Sequence, residues 1–272
     1  MTIDARPQTL PFSIENAFTD RLDGGNPAAV VRVPSLTALP DATLQSIATN
    51  FNQPMTVFIA PRETSADDIS GTATFGIRWF SPEIEVPLCG HGAVAAAASV
   101  LHGAEDARSP SAIRFEAPTG KFLIARRVEG GRIEIDLDAG HSEALVGAED
   151  AQLRGVFARA LGEHVRVTYI GRGLGHMDQY ALVEVDTHDL KSLKVDIDAL
   201  RDSPFMVNVV VAPSSVPGVA FESRMFAPRA GIPEDPVCGT AHALSTPYWM
   251  ATKELSGVIN ARQVSTRGGE LK

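Results

Sequence analysis

Two stretches decide the fold: RWFSPEIEVPLCGHGAVAAAASVL at 78–101 and RMFAPRAGIPEDPVCGTAHALSTPYW at 224–249. Each reads Arg-x-Phe-x-Pro, a short turn, Cys-Gly, and then an apolar run of helical length. A pattern repeated at this distance in one chain points to one structural unit used twice. It predicts two halves of similar topology: residues 1–118 around a central helix at 92–102, and residues 119–272 around a central helix at 241–253. The boundary signal between them is the turn-forming Pro118-Thr119-Gly120. The run from Gly92 to His102 is Ala-rich and apolar on nearly every side. A helix of that kind belongs inside other structure, not on a surface.

The Cys-Gly turns have a chemistry of their own. A glycine lets the backbone turn tightly and come close to a ligand. The first turn of the helix that follows offers backbone N–H groups and the positive end of its dipole. Each turn is therefore suited to a carboxylate or a carbonyl oxygen. The expectation is that the two turns face each other across a cleft, where they hold a carboxylate and stabilise a developing enolate.

Outward from these blocks, short strand-like runs dominate: 12–18, 29–33, 56–60, 75–80, 113–117, 121–126, 132–137, 165–170, 180–185, 207–212 and 220–226. Several alternate apolar and polar residues, as half-buried strands do. Further helices are expected at 40–50, with Asp41 as N-cap, at 151–161 and at 190–201. The fold class is α+β, with two barrel-like halves, each an antiparallel or mixed sheet wrapped round a helix.

Composition narrows the function. The 272 residues carry a formal charge of -9, a pI near 5.3 and 44% apolar residues. An acidic chain with thinly spread Lys and Arg makes no broad nucleic-acid footprint. No apolar run reaches membrane-spanning length. Two cysteines, Cys89 and Cys238, are too few for a disulfide scaffold and point to a reducing, cytoplasmic setting. No Cys/His spacing suits a structural zinc, so no metal is expected.

These blocks resemble the PhzF-like, phenazine-biosynthesis-like family. RWFSPEIEVPLCGHGAVAAAASVL is similar to its Arg-x-Phe-Thr-Pro, Cys-Gly-His and Ala-rich helix pattern. FAPRAGIPEDPVCGTAHALSTPYW at 226–249 is similar to its Glu-Asp-Pro-Val-Thr-Gly-Ser-Ala-His segment. NAFTDRLDGGNPAAVV at 16–31, IATNFNQPMTVFIAP at 47–61 and QVSTRGGEL at 263–271 match in order as well. The resemblance implies a diaminopimelate-epimerase-like fold with the site between the halves. It also implies a homodimer, no cofactor, and proton-transfer isomerisation of small carboxylated metabolites in biosynthesis. Family members usually continue past the Gly-Gly-Glu-Leu segment with another strand pair, whereas the sequence here runs to Lys272.

Two departures bear on mechanism. The family's general acid/base is a Glu in Asn-x-Ser-Glu-Thr; the matching residues here are Asn52-Gln53-Pro54-Met55-Thr56, so Met55 stands at that position. The Thr usual before the second Gly is Cys238, which with Cys89 puts one thiol in each turn. Related epimerases and racemases of this fold use such a thiol pair as two bases.

The candidate catalytic residues are His91, Asp235, Cys89 and Cys238, and the candidate substrate-binding residues are Gly90, Gly92, Gly239, Thr240 and Met55. His91 reads either as a helix-start residue bonded to backbone or as a proton-relaying group with a pKa near neutrality. Asp235 reads as a helix cap or as a site carboxylate. The cysteines read as small buried hydrophobes or as thiolates stabilised at helix starts. Thr240 reads as a ligand donor or a plain helix-start residue, Met55 as apolar pocket lining, and His242 as structural. The Gly24-Gly25-Asn26-Pro27 loop lacks the helix and Lys of a phosphate loop and reads as a tight turn near the cleft. The expected function is a cofactor-independent isomerase or epimerase acting on a small carboxylated or carbonyl-containing metabolite. The alternatives are a lyase or cyclase working without the family Glu, and a non-catalytic small-molecule binder.

Overall fold

The computed structural model describes residues 9–63, 71–102 and 110–272. A first sheet is built from β1 (Phe12–Ala17), β2 (Asn26–Arg32), β3 (Met55–Pro61), β4 (Thr72–Phe80), β5 (Glu85–Val86), β6 (Ala112–Glu116), β7 (Phe122–Arg127) and β8 (Ile133–Ile135). Its order is β1-β2-β3-β4-β6-β7-β8, with β5 beside β4. Helix α1 (Asp41–Phe51) joins β2 to β3, and α2 (Gly90–His102) joins β5 to β6. The second sheet comprises β9 (Ser142–Ala144), β10 (Arg166–Gly173), β11 (Tyr180–Asp186), β12 (Val207–Pro213), β13 (Val219–Ala227), β14 (Ile232–Asp235), β15 (Asn260–Gln263) and β16 (Gly269–Leu271). Its order is β16-β15-β13-β12-β11-β10-β9, with β14 beside β13. Helix α3 (Gly147–Leu161) precedes β10, and α4 (Gly239–Thr252) joins β14 to β15.

The two sheets share one wiring. β2 and β3 are parallel, β3 and β4 antiparallel, β4 and β6 parallel, β6 and β7 antiparallel. β11, β12, β13, β15 and β16 repeat that series step for step. A parallel pair cannot be closed by a tight turn and needs a crossover segment. In the first sheet α2 is the crossover between β4 and β6, and in the second α4 is the crossover between β13 and β15. Helix α2 touches β1, β3, β7 and β8, which include both ends of its sheet, so that sheet curls round the helix. Its residues Ala93, Ala95, Ala96 and Ala97 are fully buried, as an all-round apolar helix requires.

The second sheet buries both faces. Val209 and Val211 pack with Ala241 and Leu244 of α4, while Val210 and Ala212 pack with Leu153 and Phe157 of α3. The side-chain period of two sends neighbours to opposite faces. A strand covered on both sides is therefore apolar throughout instead of alternating. Each of the Val, Leu and Phe side chains contributes about 1.5–3 kcal/mol of burial.

The repeated Arg-x-Phe-x-Pro block has a mechanical explanation. Arg78 donates through Nε and Nη2 to both carboxylate oxygens of Glu85, each at 2.7 Å, and its guanidinium lies 5.0 Å from the Phe80 ring centre. Arg224 does the same to Glu234 at 2.7 and 2.9 Å, also 5.0 Å from the Phe226 ring. In each half the arginine staples the short strand before the Cys-Gly turn to the long strand carrying the arginine. The planar fork matches a carboxylate bidentately, which a lysine would not.

Four expectations need correction. The halves divide after Asp136, not after Pro118, because β7 and β8 pair with β6 in the first sheet. One compact unit takes residues up to Ala17 with Pro27–Asp136, and the other takes Phe18–Asn26 with Leu137–Lys272. Both central helices begin at the Gly of the Cys-Gly pair, earlier than expected, and α4 ends at Thr252. Asp41 is the first residue of α1, not its cap, and accepts a hydrogen bond from Arg78 Nη1 at 2.8 Å. Residues 190–201 form no α-helix; only Ala199–Asp202 makes a 3-10 turn. There the Leu190 and Leu193 carbonyls accept from Arg224 Nη1, so they do not serve a helical ladder.

Gly92 shows why the first turn of α2 is small. A Cβ there would lie 2.9 Å from both Trp79 Cδ1 and Val57 Cγ2, and 3.3 Å from Met55 Cγ. All three neighbours are buried and none is the end of a flexible chain into solvent. Gly92→Ala is expected to destabilise by about 1–2 kcal/mol, since overpacking outweighs the helix-propensity gain of roughly 1 kcal/mol. Urea unfolding of the variant checks it; unchanged stability would mean that the pocket has slack.

Candidate active site

The second unit builds the more elaborate turn. β14 ends at Asp235, and Pro236-Val237-Cys238 carries the chain into α4. Two separate segments brace these few residues. Asn26 Nδ2 donates to Asp235 Oδ1 and to the Val237 carbonyl, each at 2.9 Å. Gln263 accepts from the Cys238 N–H at 2.9 Å and donates through Nε2 to the Asp235 carbonyl at 2.6 Å. Ser265 Oγ donates to the Pro236 carbonyl at 2.6 Å. Arg267 in turn holds the glycine loop, donating to the Gly24 and Gly25 carbonyls at 2.7 and 2.9 Å. The three sequence blocks containing Gly-Asn-Pro, Glu-Asp-Pro-Val-Cys-Gly and Gln-Val-Ser-Thr-Arg-Gly-Gly thus form one hydrogen-bonded unit. Gly269 is required for it, since a Cβ there would lie 2.5 Å from Val237 Cγ2 and 2.7 Å from the Phe18 carbonyl oxygen.

Asp235 is 8% exposed. Burial pushes its carboxyl up to about 6; the Val237 N–H opposes the shift and the neighbouring Glu234 charge adds to it. A carboxyl group poised there exchanges protons near neutral pH, which is the property a general acid/base needs. Asn26 is fully buried, and its Oδ1 has no hydrogen-bond partner among the described residues. The amide orientation follows from its contacts, because only the NH2 group can serve both the carboxylate and the Val237 carbonyl.

A raised carboxyl pKa has a stability consequence. The group favours its protonated form in the folded state, so its contribution is complete below about 3.8 and is lost as pH rises through about 6. Keeping Asp235 ionised at pH 8 therefore costs up to about 3 kcal/mol. Asp235→Asn removes that cost. We expect the variant to melt higher than the parent at pH 8 and to lose its advantage by pH 4. A melting-temperature series across that range is the check, and a variant less stable at pH 8 would contradict it.

The other groups of this turn are tied up internally. Burial pushes the Cys238 thiol up to about 12, helped by the Asp235 charge and opposed by hydrogen bonds from the Thr240 hydroxyl and the Ala241 and Thr240 N–H groups. Desolvation, the largest cause, thus disfavours the thiolate expected of Cys238 at a helix start. Thr240 Oγ1 lies 3.0 Å from the Tyr180 hydroxyl and 3.2 Å from Cys238 Sγ, so its hydroxyl already has protein partners. His242 donates from Nδ1 to the Cys238 carbonyl at 2.9 Å, lies 3.3 Å from Ser223 Oγ and stacks on Phe221. Its burial pushes it down to about 4, which fits a neutral structural ring. At Gly239 a Cβ would meet nothing closer than 3.4 Å, so packing does not explain that glycine.

The first unit carries the simpler turn. The Cys89 carbonyl accepts the Ala93 N–H at 3.0 Å, which makes Cys89 the N-cap of α2. His91 is buried within the first turn. Its Nδ1 lies 3.2 Å from Cys89 Sγ, and its Nε2 has no partner among the described residues. Burial pushes His91 down to about 4. The expectation of a pKa near neutrality is therefore corrected, and the ring is neutral at pH 7. Met55 is buried with its Cγ against Gly92, on the first turn of α2.

Sequence reasoning missed Asn26, which it read only as part of a turn. It also missed the bracing by Gln263, Ser265 and Arg267. Among the described residues, no group of three or more His, Cys, Asp or Glu could hold a metal ion. None of their helices is long and apolar enough to cross a membrane.

Comparison with known proteins agrees with this architecture. A family model described as phenazine biosynthesis-like protein (PhzC-PhzF) matches residues 15–272. A phenazine biosynthesis-like domain-containing protein of Bos taurus is 32% identical over 277 residues, covering 96% of this chain and 90% of the bovine protein. A protein of Halalkalibacterium halodurans named as an uncharacterized isomerase is 31% identical over 267 residues, covering 97% of this chain and 90% of its own. The crystal structure of a PhzF-family phenazine biosynthesis protein from Enterococcus faecalis superposes with a TM-score of 0.77 at 28% identity, covering 97% of this chain and 90% of that one. With two curled sheets of matching topology and agreement along nearly its whole length, the chain belongs to the phenazine biosynthesis-like (PhzC-PhzF) family.

Proposed function

We propose that this protein is a cofactor-independent isomerase or epimerase that moves a proton on a small carboxylated or carbonyl-containing metabolite in a biosynthetic process. The observation that carries the reading is Asp235: a buried carboxyl group pushed up to about 6 and fixed by Asn26 at the start of α4. In its ionised form it is a base for a proton made acidic by an adjacent carbonyl. His91, neutral and with Nε2 unpartnered, is the group that gives a proton or a hydrogen bond to the developing oxyanion or carbon. Gly90 and Gly239 open the two helices and let an anionic or carbonyl group approach backbone N–H groups. Gly92, Met55 and Thr240 are the further proposed substrate-binding residues. Cys238, with its thiol pushed up to about 12, holds its proton and is the weaker of the two thiol candidates. A proton shift of this kind is expected to need no cofactor, and the expected setting is a cytoplasmic homodimer.

A second reading has a specific observation behind it. Met55 cannot carry a proton, and a family member that lost its base would keep a binding site without turnover. A lyase or cyclase that merely shapes a reactive substrate would look the same at this position. Incubating wild type and Met55→Glu with candidate small carboxylic acids in deuterated water separates the readings. We expect wild type to exchange the acidic C–H already, with Met55→Glu adding no more than a few fold, because the base is Asp235. Exchange that appears only in Met55→Glu would favour the binder.

A further inference from the structure

His91 is a ring with one protein partner and one nitrogen left over. Its Nδ1 lies 3.2 Å from Cys89 Sγ, and its buried Nε2 makes no hydrogen bond among the described residues. Desolvation keeps the ring neutral, so it carries a single N–H and cannot act as a charged imidazolium acid near pH 7. If the thiol donates to Nδ1, the ring hydrogen sits on Nε2, the nitrogen without a partner. Leaving a buried N–H unsatisfied costs about 1–3 kcal/mol, which a ligand acceptor offsets.

We infer that Cys89 and His91 form a proton relay in which the thiol is the acid and the imidazole only passes the proton on. The inference rests on the isomerase reading above. In the step, the Nε2–H bond breaks as a C–H bond forms on the substrate carbanion. The S–H bond of Cys89 breaks as an Nδ1–H bond forms. The electron pair of the S–H bond stays on sulfur as thiolate, and the imidazole is neutral before and after. The thiolate forms at the N-cap of α2, a helix of 13 residues whose positive end stabilises it. Once the proton taken by the base has been released, solvent re-protonates Nε2 and the Nδ1 proton returns to sulfur, which restores the starting Nε2–H tautomer and the thiol without another reactant.

The test begins without a substrate. Nitrogen-15 NMR of His91 at pH 7 is expected to show the neutral Nε2–H tautomer in wild type. Cys89→Ala should shift the ring toward Nδ1–H, and Cys89→Ser should keep Nε2–H because a hydroxyl also donates. Turnover then splits geometry from chemistry. Cys89→Ser is expected to fall at least about a hundredfold while folding normally, since an alkoxide is out of reach as the relay's conjugate base. A wild-type ring carrying Nδ1–H, or a Cys89→Ser variant with parental turnover, overturns the relay and leaves the isomerase reading standing. The Nε2–H tautomer with no solvent exchange on any candidate acid overturns the isomerase reading and the relay's role with it.

Discussion

Asp235→Asn is expected to lower turnover at least about a hundredfold, the usual scale for losing a general acid/base. The amide keeps an acceptor for the Asn26 NH2 group, so the turn should stay intact while the proton site is lost. The pH profile of the parent carries the same signature. A base works in its ionised form, so kcat/KM should rise with pH and level off above about 6, the value to which burial lifts this carboxyl group. Steady-state assays from pH 4.5 to 8.5 check both statements. The variant should also be the more stable protein at pH 8, and that pairing of higher stability with lost activity is expected where a charge is buried for function.

His91→Phe is expected to cost a similar factor, at least about a hundredfold. The ring volume is roughly kept, so the loss reports the nitrogen and not the packing. Burial holds His91 at about 4, and its neutral form therefore persists from acid to alkaline assay conditions. The rate should show no falling limb from this residue between pH 6 and 8. A falling limb near pH 7 that vanishes in His91→Phe would mean the imidazolium is the working acid, contrary to the neutral ring described here. His91→Gln supplies an N–H donor without a second ring nitrogen, so partial recovery would indicate oxyanion binding and none would indicate proton passage.

Much of this architecture is legible in the sequence, for identifiable reasons. The repeated Arg-x-Phe-x-Pro and Cys-Gly blocks encode local structure, and local structure is what residue order specifies best. Thus β4 with α2 and β13 with α4 emerge at nearly their observed bounds. Val207 to Ala212 reads as a strand although it does not alternate, and the observed strand, Val207–Pro213, has both of its faces covered. Apart from small shifts at helix starts, the failures are long-range. Asn26 meets Asp235 across 209 residues of chain, and nothing in a Gly-Gly-Asn-Pro turn announces that partner. The segment 190–201 has helical spacing, yet Arg224 takes the Leu190 and Leu193 carbonyls. The boundary at Pro118 is a genuine turn, but β7 still pairs with β6. The ionisation of His91, Asp235 and Cys238 was legible least of all. Desolvation sets it, and desolvation depends on what surrounds each residue after folding.

The arginine staples show how the two kinds of information combine. The sequence displays Arg78 and Arg224 at matching positions, while only the structure shows Glu85 and Glu234 as their partners. Glu234 adjoins Asp235, and its charge helps raise that carboxyl group. The staple thus fixes the strand that carries Asp235, the proposed base, and sets the charge beside it.

The most direct test of the central claim is solvent exchange catalysed by Asp235. Wild type and Asp235→Asn are incubated in deuterated water with a panel of small carboxylic acids bearing an activated C–H, and deuterium at that carbon is followed by NMR. The account predicts incorporation by wild type at a rate that rises through pH 6, with the variant at least about a hundredfold slower. Exchange by Asp235→Asn at the wild-type rate would contradict it.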